Sequence, residues 1–295
     1  MKRVWSGMMR RRESSEAYWT RHNVTLHKTF QSREESFDYI DWRNRQHPYY
    51  LDHMPVDRGG GKVVLDYGCG PGHDLIGFAT APSPPARLIG MDVSATSLAE
   101  SQARLALHGA TGEIVKIDEG ATQLPLPDAS VDIIHSSGVL HHTPDPENIL
   151  REFCRILKPD GYAQIMVYNY DSLWLHLYVA YQRMLVEGLY AGKTLREAFT
   201  ASTDGPNCPI SECYKPEEFL GMATRSGLTG TLRGVAMSAW EMKCFAQRWD
   251  ALLEWRLPAE SRRFLSELIL DNRGIPLWRG QVAGVDACFE VRRMA

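Results

Sequence analysis

The chain has 295 residues, 44% apolar and 23% charged, with a net charge of −3. Such a composition describes one large globular domain, or one domain with an elaborated cap, able to bury a sizeable core. It excludes a membrane span, because no run approaches the roughly 18 apolar residues that would need. Without a basic excess there is also no electrostatic reason to expect a nucleic-acid partner.

The first twelve residues carry Lys2, Arg3, Arg10, Arg11 and Arg12. No apolar core of about 7 to 15 residues follows them, so a secretory signal is not expected; the stretch reads as a disordered basic tail and the protein as cytoplasmic. The six cysteines, at 69, 154, 208, 213, 244 and 288, form no C-x-x-C pair. Reduced thiols are expected, and a zinc site is not. Residues 13–58 are rich in aromatics, and the spacing of Phe37, Tyr39 and Trp42 predicts a helix over 36–45. Most of these rings read as packing; the functional alternative is that residues 1–58 form a helical flap over a ligand, touching it through Tyr18 and Trp19. Gly59-Gly60-Gly61 then predicts a flexible joint.

From Lys62 to Asp74 the sequence is KVVLDYGCGPGHD. Val63-Val64-Leu65 suits a buried parallel strand, and Gly68, Gly70 and Gly72 follow Asp66 in a tight turn that opens a helix at His73. Glycines are wanted where the backbone takes angles denied to other residues and where a ligand must approach the main chain. Pro82, Pro84 and Pro85 force a loop, after which strand two runs from Arg87 to Asp92. An acidic residue about 20 positions beyond such glycines is where ribose hydroxyls are held. Two carboxylates around one Gly turn suit a ligand with an amine at one end and a ribose at the other, better than a pyrophosphate, which Asp66 would repel.

Ser94 is a good N-cap for a helix over 95–107, which Gly109 ends. Strand three is predicted over 113–117, strand four over 131–135, a helix over 146–157, a turn at Lys158-Pro159-Asp160-Gly161, and strand five over 162–168. Alternating strands and helices imply a parallel sheet whose ligand lies beyond the carboxyl ends of the strands, where the strand order reverses. Those ends supply Asp66 and the glycines, Asp92, residues 118–121, residues 136–142, and Asn169, Tyr170 and Asp171. Beyond them, 172–213 and 238–280 read as cap insertions, 216–226 as a helix, 228–237 and 285–293 as strands six and seven, and 239–270 as one or two helices. The division is thus a flap (1–58), a cofactor-binding core (59–171), and cap insertions with the strands that complete the sheet (172–295).

Asp66 to Gly72, Asp92-Val93-Ser94, Leu124-Pro125-Leu126-Pro127-Asp128 and Gly138-Val139-Leu140-His141-His142 resemble the class I S-adenosylmethionine-dependent methyltransferases, in particular the type 11, ubiquinone-biosynthesis-like group. The resemblance covers roughly residues 60–170. It implies an α/β fold, a doubly wound, mostly parallel seven-stranded sheet with helical cap insertions, and S-adenosylmethionine as cofactor. It also implies that Asp66, Gly68, Cys69, Gly70 and Gly72 face the methionine part. Asp92 and the adjoining Val93 then meet the ribose, a carboxylate being able to accept two donors at once. Where the family has Gly-Asp-Ala before Leu-Pro, this chain has Glu119-Gly120-Ala121. Asp118 or Glu119 is therefore expected to receive the adenine amino group, with the Ala121 amide donating to the ring.

Ser136 and His141 are further expected cofactor contacts, and His142 is the candidate base, since a neutral imidazole can take a proton near pH 7. His135 reads as a satisfied core residue, while His73 could approach the site. No compact ligand spacing predicts a metal. The reading is methyl transfer to a small-molecule acceptor, oxygen of a sugar or natural-product intermediate first, with no nucleic-acid or membrane partner and self-association left open. The alternatives are a methyltransferase for protein or RNA, using Arg248, Arg256, Arg262 and Arg263 as a stripe, and a cofactor-binding protein without catalysis.

Overall fold

The computed structural model describes residues 13–205 and 207–294; the basic stretch at 2–12 lies outside them. A seven-stranded sheet runs in the order β3-β2-β1-β4-β5-β10-β6. Its strands are β1 (Val63–Tyr67), β2 (Arg87–Asp92), β3 (Glu113–Lys116), β4 (Val131–Ser137), β5 (Leu157–Tyr168), β6 (Leu228–Ala236) and β10 (Asp286–Arg293). All pairings are parallel except those of β10, which is antiparallel to both β5 and β6. The order reverses between β1 and β4, so the two chain segments leave that point in opposite directions and open a crevice between them.

Alternate residues of β1 serve the two faces. Val64 packs with Leu75, Ile76, Phe78 and Leu105, from helices α4 (His73–Ala79) and α5 (Ala95–Leu107). Leu65 packs on the other face with Leu150 and Phe153 of α6 (Pro146–Ile156) and Phe219 of α8 (Pro216–Arg225). Each fully buried side chain of this size contributes about 1.5–3 kcal/mol. Helix α5 starts where Ser94 accepts a hydrogen bond from Ser97 N–H at 3.2 Å and stops before Gly109, whose φ is +63°.

Three expectations are corrected. Lys158 to Gly161 do not form a turn between helix and strand: they belong to β5, whose pairing with β4 shifts register between Val131 and Ile133. A side chain at Gly161 would sit 2.9 Å from the Asp132 carbonyl, so glycine permits that close approach. The triple glycine is not a loose joint either, because Gly59 and Gly60 pack on Pro85 and Ser83 and Gly61 N–H bonds the Pro84 carbonyl. Residues 239–270 form three helices, α9 (Ala239–Phe245), α10 (Arg248–Leu253) and α11 (Ala259–Glu267), before a short strand β7 (Ile269–Leu270). Pro258 forces the last break. Strand β7 pairs with β8 (Pro276–Trp278), which pairs with β9 (Gln281–Val282) in a small antiparallel sheet that the sequence pattern did not reveal.

Of the remaining helices the first three lie over the crevice and the last two pack on each other. They are α1 (Ser15–Arg21), α2 (Arg33–Gln46), the single turn α3 (Tyr50–His53), a 13-residue π-helix (Trp174–Val186) and α7 (Leu195–Ser202). π-Helical hydrogen bonding is rare and tends to occur at functional sites.

Candidate active site

A cavity of about 530 Å³ lies beyond the carboxyl ends of β1 to β4, walled on the far side by α1, α2 and α3. That volume suits a ligand of cofactor size. Of the residues expected from sequence, Asp66, Gly68, Cys69, Gly70, Asp92, Val93, Asp118, Glu119, Gly120, Ala121 and His142 line it. Gly72, Ser136 and His141 do not.

Asp66 ends β1 with 2% of its surface exposed, and its Oδ2 has no hydrogen-bond partner. Burial pushes its carboxyl up to about 7. An open, buried acceptor beside a Gly-rich turn is a place for a ligand's ammonium group. Gly70, at φ +52°, has nothing within 4 Å of where a Cβ would stand; this is the bare backbone that a ligand can approach. At Gly68 the constraint is the protein itself, since a Cβ would lie 2.2 Å from Val139 Cγ2. Asp92 accepts the Gly70 N–H on Oδ2 at 2.9 Å and the Ser94 N–H on Oδ1 at 2.8 Å. The two main-chain bonds fix the carboxylate plane, and each oxygen keeps a lone pair for a hydroxyl. Eight carboxylates and a single guanidinium, Arg43, line the cavity. S-adenosylmethionine has two cationic centres and one carboxylate, and these residues fit it: Asp66 would hold the amine, Asp92 the ribose and Gly70 the close approach, while Arg43, which pairs with Asp74 at 3.1 Å, is the cation nearest to hand for the carboxylate.

The adenine side differs from expectation. Glu119 accepts the Ser15 N–H at 3.0 Å on one oxygen and the Glu16 N–H at 2.9 Å on the other. Its charge therefore caps α1 and tethers that helix over the cavity. The Asp118 side chain is 93% exposed and stands 3.9 Å from Lys116. The Ala121 N–H turns inward to the Asp118 carbonyl at 3.1 Å. Trp19 of α1 lines the cavity, while Tyr18 is buried and donates to the Asp204 carbonyl.

His141 is fully buried, stacked on Tyr168 at 3.8 Å, and accepts the Tyr168 N–H on Nδ1 at 3.2 Å. Burial holds it well below the usual imidazole range, so it is a neutral prop for Tyr168. Ser136 is likewise buried behind the wall. The side-chain position at Gly72 faces Ser101 Oγ, 2.8 Å away. His135 is the core residue expected, with Nε2 3.1 Å from Asp74 Oδ2 and Nδ1 accepting from Gln164 at 2.7 Å. Burial opposes its charge most, but the Asp74 hydrogen bond and the charges of Asp74 and Asp66 together raise its pKa. His73 does reach the cavity wall.

His142 closes the wall near β5. Its Nδ1 donates to the Ile210 carbonyl at 2.6 Å, and its Nε2 faces Asp204 Oδ2 at 3.6 Å. Asp204 also accepts from Tyr168 Oη and Ser211 Oγ. With Cys208, His142 and Asp204 form the one trio among the described residues whose donor atoms lie within 4.8 Å of one another. Burial pushes the Cys208 thiol up to about 12, and the trio's atoms are already bonded to protein partners.

A second cavity of about 310 Å³ shares Gln46, His47, Tyr168, Asp204 and Asp286 with the first, and adds Trp174, Thr203, Ser238, Trp240 and Val285. The strand-end rule pointed to Asn169, Tyr170 and Asp171, yet Tyr168 is the wall residue. Asp286 was missed because it is the first residue of an antiparallel strand, paired with Tyr168 at the same edge.

Comparison with known proteins agrees with this geometry. Residues 65–165 match a family described as methyltransferase domain. A demethylmenaquinone methyltransferase of Geobacillus kaustophilus is 30% identical over 59% of this chain and 76% of its own. An uncharacterized 37.1 kDa protein in transposon TN4556 of Streptomyces fradiae is 32% identical over 63% of this chain, which spans 58% of that relative's length. The fold is also that of the [4+2]-cyclase SpnF, with a TM-score of 0.51 at 16% identity over 96% of this chain and 97% of that one. The chain belongs to the S-adenosylmethionine-dependent methyltransferases that carry this domain.

Proposed function

We propose that the protein transfers a methyl group from S-adenosylmethionine to a small molecule, at oxygen of a sugar or natural-product intermediate. The observation that carries this reading is the second cavity, which opens from the cofactor pocket and shares five wall residues with it. The sulfonium is already an activated methyl donor, so the protein's contribution is to hold the acceptor in line, exclude water and provide for a proton. Asp204 stands where the two cavities meet, with His142 Nε2 3.6 Å from it on the side of the first cavity.

The arginines proposed for a macromolecular partner are occupied elsewhere. Arg248 donates to the carbonyls of Leu265 and Leu268, Arg262 to those of Leu252 and Glu254, Arg256 pairs with Glu254 and Arg263 with Glu267. These contacts engage all four side chains within the protein, which supports the small-molecule reading over a polyanionic partner. Among the described residues no helix is long and apolar enough to cross a membrane. All six cysteines are free thiols, which suits the reducing cytoplasm.

Calorimetry with S-adenosylmethionine, followed by incubation with labelled cofactor and a metabolite extract, tests the proposal. Saturable binding and a labelled small-molecule product are expected. Absence of cofactor binding would overturn it.

A further inference from the structure

Resting on that methyl-transfer reading, we propose that His47 and Asp286 form the pair that takes the acceptor's proton, and that the acceptor presents a hydroxyl on a flat aromatic ring. His47 follows the last turn of α2, and its Nδ1 lies 2.5 Å from Asp286 Oδ2. Asp286 is 1% exposed and held by the pairing of β10 with β5 and β6. The bond to Asp286 puts the proton of a neutral imidazole on Nδ1 and the lone pair on Nε2, which has no hydrogen-bond partner among the described residues. With 38% of its side chain exposed, His47 lines both cavities.

His142 offers less. One nitrogen is spent on Ile210, the other faces a carboxylate, and the ring is boxed in by Trp19, His141 and Tyr168.

The charges around His47 are Asp286 on β10, Arg43 on its own helix and Glu241 on α9, with Asp204 and Tyr168 across the chamber. The Asp286 carboxylate raises the His47 pKa, with burial and Arg43 opposing. A phenol, with a pKa of about 10, is the hydroxyl nearest in acidity to an imidazole held above its ordinary range. Of the acceptors proposed above this selects an aromatic natural-product hydroxyl over a sugar's, because an aliphatic hydroxyl, near water at about 15.7, is far out of an imidazole's reach. The chamber walls agree, for Trp174, Trp240 and Tyr168 line them with aromatic rings. In the step itself the hydroxyl proton passes to His47 Nε2 and the oxygen's electron pair forms the new O–CH3 bond. The S–CH3 bond breaks with its pair on sulfur, and His47 then returns its proton to water.

The test is to load the full chain with S-adenosylhomocysteine and titrate it with 4-nitrocatechol, whose absorbance reports its ionisation. Wild type should bind the catechol and hold a larger ionised fraction than free solution at the same pH. His47→Gln should bind S-adenosylhomocysteine as wild type does and lose at least tenfold of that excess ionisation, whereas Asp286→Asn should shift it to higher pH. The inference is overturned if the catechol does not bind the loaded wild type, if ionisation survives in His47→Gln, if His142→Gln loses more than His47→Gln, or if His47→Gln loses S-adenosylhomocysteine affinity. Failure of wild type to bind S-adenosylhomocysteine would instead strike the methyl-transfer reading.

Discussion

The two halves of the site are assembled differently. The cofactor half draws on the turns that follow β1 to β4, all within residues 66–145, with α1 and α2 folded over them. The half proposed to hold the acceptor joins residues 46–47, 168–174, 203–204, 238–240 and 285–286, from five separate parts of the chain. A half built from consecutive turns can be damaged at the backbone, while a half built from distant side chains is altered by changing one of them without disturbing the other.

The sharpest way to break that contrast is Gly70→Val. A branched side chain forced to φ +52° would fill the open cradle, and cofactor affinity in calorimetry should fall by about 100-fold or more while the melting curve stays cooperative. Asp92→Ala should weaken cofactor binding by roughly 1.5–3 kcal/mol through lost charge-assisted hydrogen bonds, with catechol binding to the loaded protein retained.

Asp66 gives a pH signature to the same half. Its carboxyl titrates near 7 in the free protein, and the cofactor's ammonium needs the ionised form, so affinity should drop as pH falls below that value, approaching about tenfold per unit. The same raised pKa means that the protonated form favours folding, a contribution complete below the ordinary carboxylate range and lost as pH rises through about 7. Asp66→Asn should therefore flatten the affinity profile and melt further above wild type at pH 8 than at pH 5.

On the acceptor side, Trp240→Ala should weaken 4-nitrocatechol binding by about tenfold, a typical loss for an aromatic wall, and leave cofactor affinity within about twofold. The smallest effect is expected from Glu119→Ala. Freeing the first turn of α1 removes a cap of about 1 kcal/mol, so cofactor dissociation in stopped flow should quicken by roughly threefold to tenfold.

The same contrast explains how much was legible beforehand. Asp66, Gly70 and Asp92 could be found because a strand, a glycine turn and the next strand fix their relation within about 30 residues of sequence. The seven-stranded sheet followed from the same alternation of strands and helices. His47 and Asp286 could not be found, because their meeting depends on where α2 ends and on how β10 lies against β5. The tie from Glu119 to α1 was hidden for a related reason: its position beside the adenine segment was visible, but the two amides of α1 that it accepts come from about 100 residues away. The turn at 158–161 was local and still misread, since the strand pairing around it overrode the turn residues.

The bond between His47 and Asp286 spans 239 residues of sequence, which sets an order on how the protein can come into being. Contacts between neighbouring turns close short loops and form early, whereas a contact of that span waits for almost the whole chain to be present and carries the full cost of closing it. During synthesis the cofactor half can thus take shape while β10 is still to come. The half proposed to choose the acceptor is therefore the last to be completed, since its His47–Asp286 bond needs both ends of the chain.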